Sequence, residues 1–389
     1  MNRFFYGNFD FEDQLRSEVN RPARVERLLL ELASSWLAVA DAGDRIWCPG
    51  KLPEEFLASL SQWGLPADIF VSEVRDIPAG MELVPWGWSL AAVEFGEQHG
   101  LVVEAPPLDV VRLANSREYS VPREEPPDDD SDFATLCRTL GEVLACVERL
   151  PATTAWVIKA NWSHAARERI LGRGPMISNA DIQWVKQRLA RDGVVCWEPW
   201  LQREAEIGIQ WSIPRGGPPQ LVAITELLVD ARGQYAGTRA LARGIGFQPV
   251  MTAQDVHKND RLEAYPTKTL TLPEWALPVA EATRPAVEDL AQRGYFGPVG
   301  IDAMRYIHPD WNFPRTRPLQ DINARWTMGR LALGWFEKLG TESSITWRHG
   351  PHRSPEVAEL GIDRIHTSPG TIDGILVSHR TWLQMDQPR

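Results

Sequence analysis

Leu319-Gln320-Asp321-Ile322-Asn323-Ala324-Arg325 is the stretch on which the reading of this chain turns, together with Gly300-Ile301-Asp302 upstream. Side chains alternate across a β-strand, so Asp321, Asn323 and Arg325 are expected on one face, with Ile322 and Ala324 turned into a core. The polar face then carries a carboxylate, an amide oxygen and a guanidinium in a row. The first two are hard oxygen donors that suit Mg²⁺, and the third suits a phosphate or a developing oxyanion. Asp302 ends the apolar run Val299-Gly300-Ile301, which reads as a neighbouring strand. Residues 306–318, with His308-Pro309-Asp310-Trp311-Asn312, read as the hairpin connection between the two. Asp302, Asp321 and Asn323 would form a three-ligand metal platform with room for the phosphates of a nucleotide. Taken alone, the Asp-x-Asn pattern fits an ordinary half-exposed hairpin equally well, so the rest of the chain has to decide.

With 389 residues the chain can bury the cores of two or three domains. Its 43% hydrophobic and 24% charged residues match a soluble globular protein. A formal charge of −11 argues against a nucleic-acid footprint, which needs a basic face. No stretch approaches 18 consecutive apolar residues, so no spanning helix and no membrane partner are expected. The opening Met1-Asn2-Arg3-Phe4-Phe5-Tyr6-Gly7-Asn8 turns acidic before a signal-type apolar region could form, and a cytoplasmic location is the expectation. Cys48, Cys137, Cys146 and Cys196 contain no CxxC, so neither zinc nor a disulfide framework is indicated. Most of the 17 tryptophans read as core and packing residues, with a few available to line a cleft.

Along the N-terminal part, helix-like and strand-like patterns alternate. The spacing predicts a helix over 24–40, opened by Pro22 and carrying Leu28, Leu29, Leu30, Leu32 and Leu37. Strands are expected at 45–48, 68–71 and 101–104, and helices at 54–63 (closed by Gly64) and 89–97 (ended by Gly100). That order predicts a small open α/β domain with a parallel sheet. It holds no Gly-x-Gly-x-x-Gly, so nothing supports a dinucleotide site there. The proline-rich acidic run 122–132 reads as an exposed loop. A helix over 133–150, a strand over 155–159, a polar loop to Gly174, a helix over 179–190 and a strand over 194–198 follow. Strands near 206–213 and 220–229 come next, with Gly233 at a hairpin turn. Residues 244–273 read as a surface insertion and 278–294 as a helix. The tail after Gly340 holds His349, His352, His366 and His379, expected as scattered surface residues.

Five features in this order resemble the ATP-grasp superfamily, whose enzymes join a carboxylate to an amine through an acyl phosphate. Asn115-Ser116-Arg117-Glu118-Tyr119-Ser120 resembles the segment that opens the module, where a basic residue reaches the nucleotide phosphates; the resemblance gives that role to Arg117. Lys159, at the end of an apolar strand, matches the lysine that contacts the α- and β-phosphates. The following Asn161-Trp162-Ser163-His164-Ala165-Ala166-Arg167 departs from the glycine-rich phosphate loop of the family. Ser163, His164, Arg167 and the flexible Gly172-Arg173-Gly174 are left to serve closure.

Trp197-Glu198-Pro199-Trp200-Leu201 resembles the hinge whose backbone binds adenine, which carries that role to Glu198 and Leu201. An acid a few positions on binds the ribose hydroxyls; this falls to Glu206, with Glu204 as the competing assignment. Gly300-Ile301-Asp302-Ala303-Met304 and Gln320-Asp321-Ile322-Asn323-Ala324-Arg325 complete the set. Asp321 stands where the family commonly has Glu, and Arg325 takes the role of stabilising the tetrahedral intermediate.

The resemblance covers about residues 20–340. It implies an α/β (α+β) chain with the ATP-grasp fold and an N-terminal open α/β domain over 1–112. The two ATP-grasp subdomains would span 113–200 and 201–340, with a C-terminal tail over 341–389. It further implies ATP and Mg²⁺ as cofactors, small-molecule carboxylate and amine substrates, and a homodimer as an open option. The implied activity is an ATP- and Mg-dependent ligase, with Lys159 and Arg325 acting at the reacting centre. A small-molecule kinase on the same fold, or a nucleotide-binding protein without turnover, stays the alternative.

Overall fold

In the computed structural model the described residues are 1–16, 22–124, 134–163, 168–229, 235–240, 272–309, 312–339, 345–353 and 364–385. The first stretch of chain runs β1 (Arg3–Tyr6), α1 (Phe11–Leu15), α2 (Ala23–Leu32), β2 (Arg45–Trp47), α3 (Glu54–Gln62), β3 (Phe70–Val71), β4 (Glu82–Pro85) and α4 (Leu90–Gln98). Its sheet has the order β3-β2-β1-β4, and all neighbours are parallel, as strands separated by helices require. Two of these strands, β1 and β4, go beyond the expected set; β1 buries both Phe4 and Phe5, so no alternation marks it. The strand expected at 101–104 supplies only one bridge, Val102 to Glu82. The helix expected over 24–40 ends at Leu32 and continues as a 3₁₀ turn, Ala33–Ala38, all of it buried. A fully buried turn leaves no exposed face for a 3.6-residue period to reveal.

After α5 (Leu108–Ala114) and α6 (Arg117–Ser120) comes a small antiparallel unit. It comprises β5 (Thr135–Cys137), α7 (Leu140–Glu148), β6 (Ala155–Ala160), β7 (Arg169–Arg173), α8 (Asn179–Asp192) and β8 (Val195–Pro199), with sheet order β5-β8-β6-β7. The helix expected over 133–150 starts only at Leu140. Thr139 and Glu142 form a capping box there, and 135–137 pair with β8 instead. Ser178 caps α8, and Gly193 ends it at φ +77°. The polar loop expected up to Gly174 contains β7, paired along β6. Gly172 permits it, because the Trp156 ring fills the space that a Cβ would need. Residues 164–167 and most of the 122–132 run lie outside the described residues.

The largest sheet has eight strands: β9 (Gln202–Ile213), β10 (Gln220–Val229), β11 (Tyr235–Ala240), β12 (Gly297–Ile307), β13 (Pro314–Asn323), β14 (Ile345–Pro351), β15 (Arg364–His366) and β18 (His379–Met385). Its order is β13-β12-β9-β10-β11-β14-β18-β15. α9 (Ala276–Ala282) and α10 (Arg284–Gln292) pack near it with α11 (Met328–Leu339), and β16 (Thr371–Ile372) pairs with β17 (Ile375–Leu376). The single helix expected over 278–294 is broken at Thr283. Its hydroxyl donates to the Ala280 carbonyl and accepts from Trp211 Nε1, and Pro285 follows. The connection expected over 306–318 is shorter, since β12 reaches Ile307 and β13 begins at Pro314. Gly233 and the 244–271 part of the expected insertion lie outside the described residues.

The histidines after residue 340 do not form a scattered surface set. His349 is buried against the rings of Tyr235, Trp347 and His379, and burial holds its pKa well below the usual imidazole range. Hydrophobic packing accounts for most of the tryptophans: Trp36, Trp156, Trp211, Trp335, Trp347 and Trp382 are fully buried.

A close helix approach onto backbone is at Gly334, where a Cβ would stand 2.5 Å from the Ala38 carbonyl oxygen. Ala is favoured over Gly inside a helix by about 1 kcal/mol, but here α11 would have to move off the 3₁₀ turn. Gly334→Ala is therefore expected to lower stability by about 1–3 kcal/mol, the usual cost of overpacking, as a drop in urea midpoint.

Candidate active site

Register on the large sheet assembles the site. Ile207, Ile209 and Trp211 of β9 point into the core together with Ile301 and Ile322, so the alternate residues face the other way. Asp302 lies opposite Gly208 on one side and Asp321 on the other, and Gly300 lies between Gln210 and Asn323. The two carboxylates are therefore cross-strand neighbours, which is unfavourable for like charges unless something offsets them. Burial, then Asp321 and Glu206, push the Asp302 carboxyl up to about 7, against Arg325 and the Asn323 amide. Asn323 Nδ2 donates to Asp302 Oδ2 at 3.3 Å, and its Oδ1 accepts from Arg325 Nη2 at 2.9 Å.

This face opens onto a cleft of about 350 Å³. Arg117, Lys159, Glu206, Asp302, Asp321, Asn323 and Arg325 all line it. Arg117, at the start of α6, is buried; its Nε donates to the Ala160 carbonyl at 3.1 Å, and its Nη2 to Ser163 Oγ at 2.8 Å and Asp321 Oδ2 at 3.2 Å. Lys159 Nζ donates to Glu198 Oε2 at 2.7 Å. Burial and the nearby Arg117 and Arg317 lower the Lys159 pKa, and Glu198 opposes them.

Glu198 and Leu201 do not line the cleft. The Glu198 side chain is buried behind Lys159 and also accepts from Arg317 Nη1 at 3.2 Å. Burial alone would raise its pKa, but Lys159, Arg317 and Arg117 hold it far below the usual carboxylate range. Of the two candidate acids on β9, the cleft takes Glu206, which pairs with Arg203 Nε at 2.9 Å. Glu204 pairs instead with Arg305, at a register shift where β12 steps from Ala205 to Arg203.

Arg325 differs from the expectation in two respects. β13 ends at Asn323, so Arg325 sits in the turn beyond the strand and not on its face. It is also already paired with a carboxylate, because its Nε donates to Glu12 Oε1 at 2.7 Å. Asp10, Glu12, Arg203 and Gln210 also line the cleft without belonging to any of the motifs. Alternation from Glu206 through Gly208 to Gln210 carries a signal for the last of these. Glu12 has none, since its partner lies 313 residues away.

The donor set suits a small hard cation. Among the described residues no three His, Cys, Asp or Glu side chains converge. Mg²⁺, however, is commonly held by one or two carboxylates with phosphate oxygens and water completing the shell. Asp302 and Asp321 supply the carboxylates, and Asn323 Oδ1 retains a lone pair beyond its Arg325 bond.

No protein-family model matches this sequence, and no curated protein matches it. The structure is similar to an ADP complex of purK, an N5-carboxyaminoimidazole ribonucleotide synthetase, with TM-score 0.51 and 10% identity over 99% of this chain and 92% of that one. The N5-carboxyaminoimidazole ribonucleotide synthetase from Thermus thermophilus aligns with TM-score 0.50 and 13% identity over 100% and 94% of the two chains. A pyruvate carboxylase from Rhizobium etli aligns with TM-score 0.50 and 11% identity over 100% of this chain and 36% of that one. At such identities the likeness is one of fold.

Proposed function

On the ATP-grasp fold that this chain adopts, we propose that the cleft is the active site of an ATP- and Mg-dependent ligase that joins a carboxylate to an amine. The observation that carries this reading is the acid pair Asp302–Asp321 with Asn323, lining one cleft together with Arg117 and Lys159. Asp302, Asp321 and Asn323 would hold Mg²⁺, which when bound offsets phosphate charge. Arg117 and Lys159 bind the phosphates and Glu206 the ribose hydroxyls; the adenine role that the resemblance gives to Glu198 and Leu201 falls outside the lining of this cleft. Arg325 orients the substrate carboxylate and stabilises the charge that develops on it.

The carboxylate oxygen attacks the γ-phosphorus of ATP and ADP leaves; the amine then attacks the acyl carbon and phosphate leaves. Neither step needs a covalent protein nucleophile, only positioning and charge neutralisation. Hydroxylamine supplied with the right acid should therefore trap a hydroxamate, with ADP and free phosphate as co-products. AMP and pyrophosphate would indicate adenylation and overturn the reading. A stable phosphorylated product that no amine consumes would point to a kinase.

The nucleotide roles are separable by binding. Lys159→Ala is expected to weaken ATP by about 1–3 kcal/mol, the range for hydrogen bonds to charged groups. Glu206→Ala should weaken ATP more than an analogue without ribose hydroxyls, and Glu204→Ala should weaken neither. Calorimetric titration reads all three variants, and equal losses for both nucleotides would remove Glu206 from the ribose role.

A further inference from the structure

One wall of this cleft is apolar. Val25, Leu28, Leu29 and Leu32 line it, and steps of three, four and seven residues place them on one face of α2. All four are half-buried, although Leu29 and Leu32 also touch the core. A leucine stripe of this kind is ordinarily what glues a helix to its protein. Here the polar side of the helix is anchored as well. Arg27 donates to the carbonyls of Ile372 and Ile375 and pairs with Glu31, which accepts from Ser378 and the His379 N–H. The stripe is thus partly released to face the cleft. Phe9 and Trp86 extend the wall, their rings 4.8 Å apart.

Arg325 joins this wall to the acid pair. Its guanidinium lies 5.3 Å from the Trp86 ring centroid, while its Nη2 holds Asn323 Oδ1. A carboxylate brought to Arg325 from the metal side would leave the rest of its molecule toward Trp86 and α2. There an apolar chain loses water, whereas a second charge would be desolvated against leucines without a partner.

We propose that the carboxylate substrate is an acid with an apolar chain, and that Val25, Leu28, Leu29 and Leu32 of α2 form the pocket for that chain. This rests on the ligase reading above and narrows it to one substrate class. An aliphatic acid and an apolar amino acid share this chemistry, and the test separates them.

The full-length protein, with Mg²⁺, ATP and hydroxylamine, is assayed for hydroxamate with hexanoate, leucine, acetate and glutamate. Direct binding of hexanoate and leucine is measured in parallel by equilibrium dialysis with Mg²⁺ and ADP. Leu28→Asn and Val25→Asn, both at half-buried positions, are compared with the parent. Hexanoate or leucine should be preferred, and each variant should raise KM for it about tenfold or more, the scale on which apolar pockets discriminate. Affinity for ATP should not change.

A preference for acetate or glutamate, or variants with unchanged KM, would overturn the apolar pocket while leaving the ligase reading intact. Binding of hexanoate or leucine that both variants abolish, with no hydroxamate from any acid, would support the pocket and defeat the ligase reading. Absence of both binding and turnover with hexanoate and leucine would overturn the proposal.

Discussion

Asp321→Asn and Asn323→Ala are each expected to reduce turnover by on the order of 10²–10³-fold, the scale seen when one preorganised electrostatic contact to a reacting group is lost, while melting temperature hardly moves. Both side chains face the cleft, and the core beneath them is made by Ile322 and Ala324, which neither change touches. Asp321→Asn removes half of the acid pair and with it the like charge that raises Asp302. Stability is therefore not expected to fall with activity. The lost Arg117 contact, 3.2 Å from Asp321 Oδ2, is part-buried and one of three made by that guanidinium. Turnover is read as ADP release at saturating Mg²⁺, and stability by thermal melting. Wild-type rates in both variants would remove these residues from the metal platform.

What the sequence made legible, and what it hid, follows from the range of the interactions. On β9, β12 and β13 one face is buried, so alternation from Glu206 to Trp211, Val299 to Asp302 and Gln320 to Ala324 survives in the chain and sets the register. The parallel N-terminal sheet was legible as an alternation of types, although β1, with both Phe4 and Phe5 buried, carries no alternation and β4 was not marked. Helix ends were misjudged where a local hydrogen bond decided them, as at Thr283 and the Thr139 capping box. Least legible were pairings between distant residues. Nothing around Arg325 announces Glu12, and the leucines of α2 read only as a helix's apolar residues, with nothing to say that Leu28, Leu29 and Leu32 line the cleft. Local patterns specify elements; the site depends on which elements meet.

Loss of Arg317 should cost the fold heavily. It is 2% exposed on β13, its Nε and Nη2 fork onto Glu124 at 3.1 and 2.5 Å, and its Nη1 reaches Glu198 at 3.2 Å. It thereby ties the segment after α6, the strand β8 and the edge of the large sheet to one guanidinium. Arg317→Met keeps much of the volume but leaves Glu198 with Lys159 and the more distant Arg117, and Glu124 with the Leu319 backbone hydrogen bond and, among the described residues, no cation of its own in place of Arg317. Breaking a buried pair by removing one partner typically costs about 3–5 kcal/mol, and a loss of that size is expected in urea denaturation. The sign of its pH dependence distinguishes this cause from lost packing. Burial already raises the Glu124 carboxyl in the intact protein, against the pull of Arg317. Without Arg317 its folded pKa should rise further, so the variant's stability is retained at low pH and lost as pH rises through that value. The gap between Arg317→Met and the parent should accordingly narrow as pH falls through the carboxyl range, where Glu124 becomes neutral and needs no cation, while Glu198 stays ionised beside Lys159 and Arg117. A packing defect would leave the gap constant. Arg317→Met with Glu124→Gln should recover part of the loss at neutral pH, because the carboxylate left without a cation is gone.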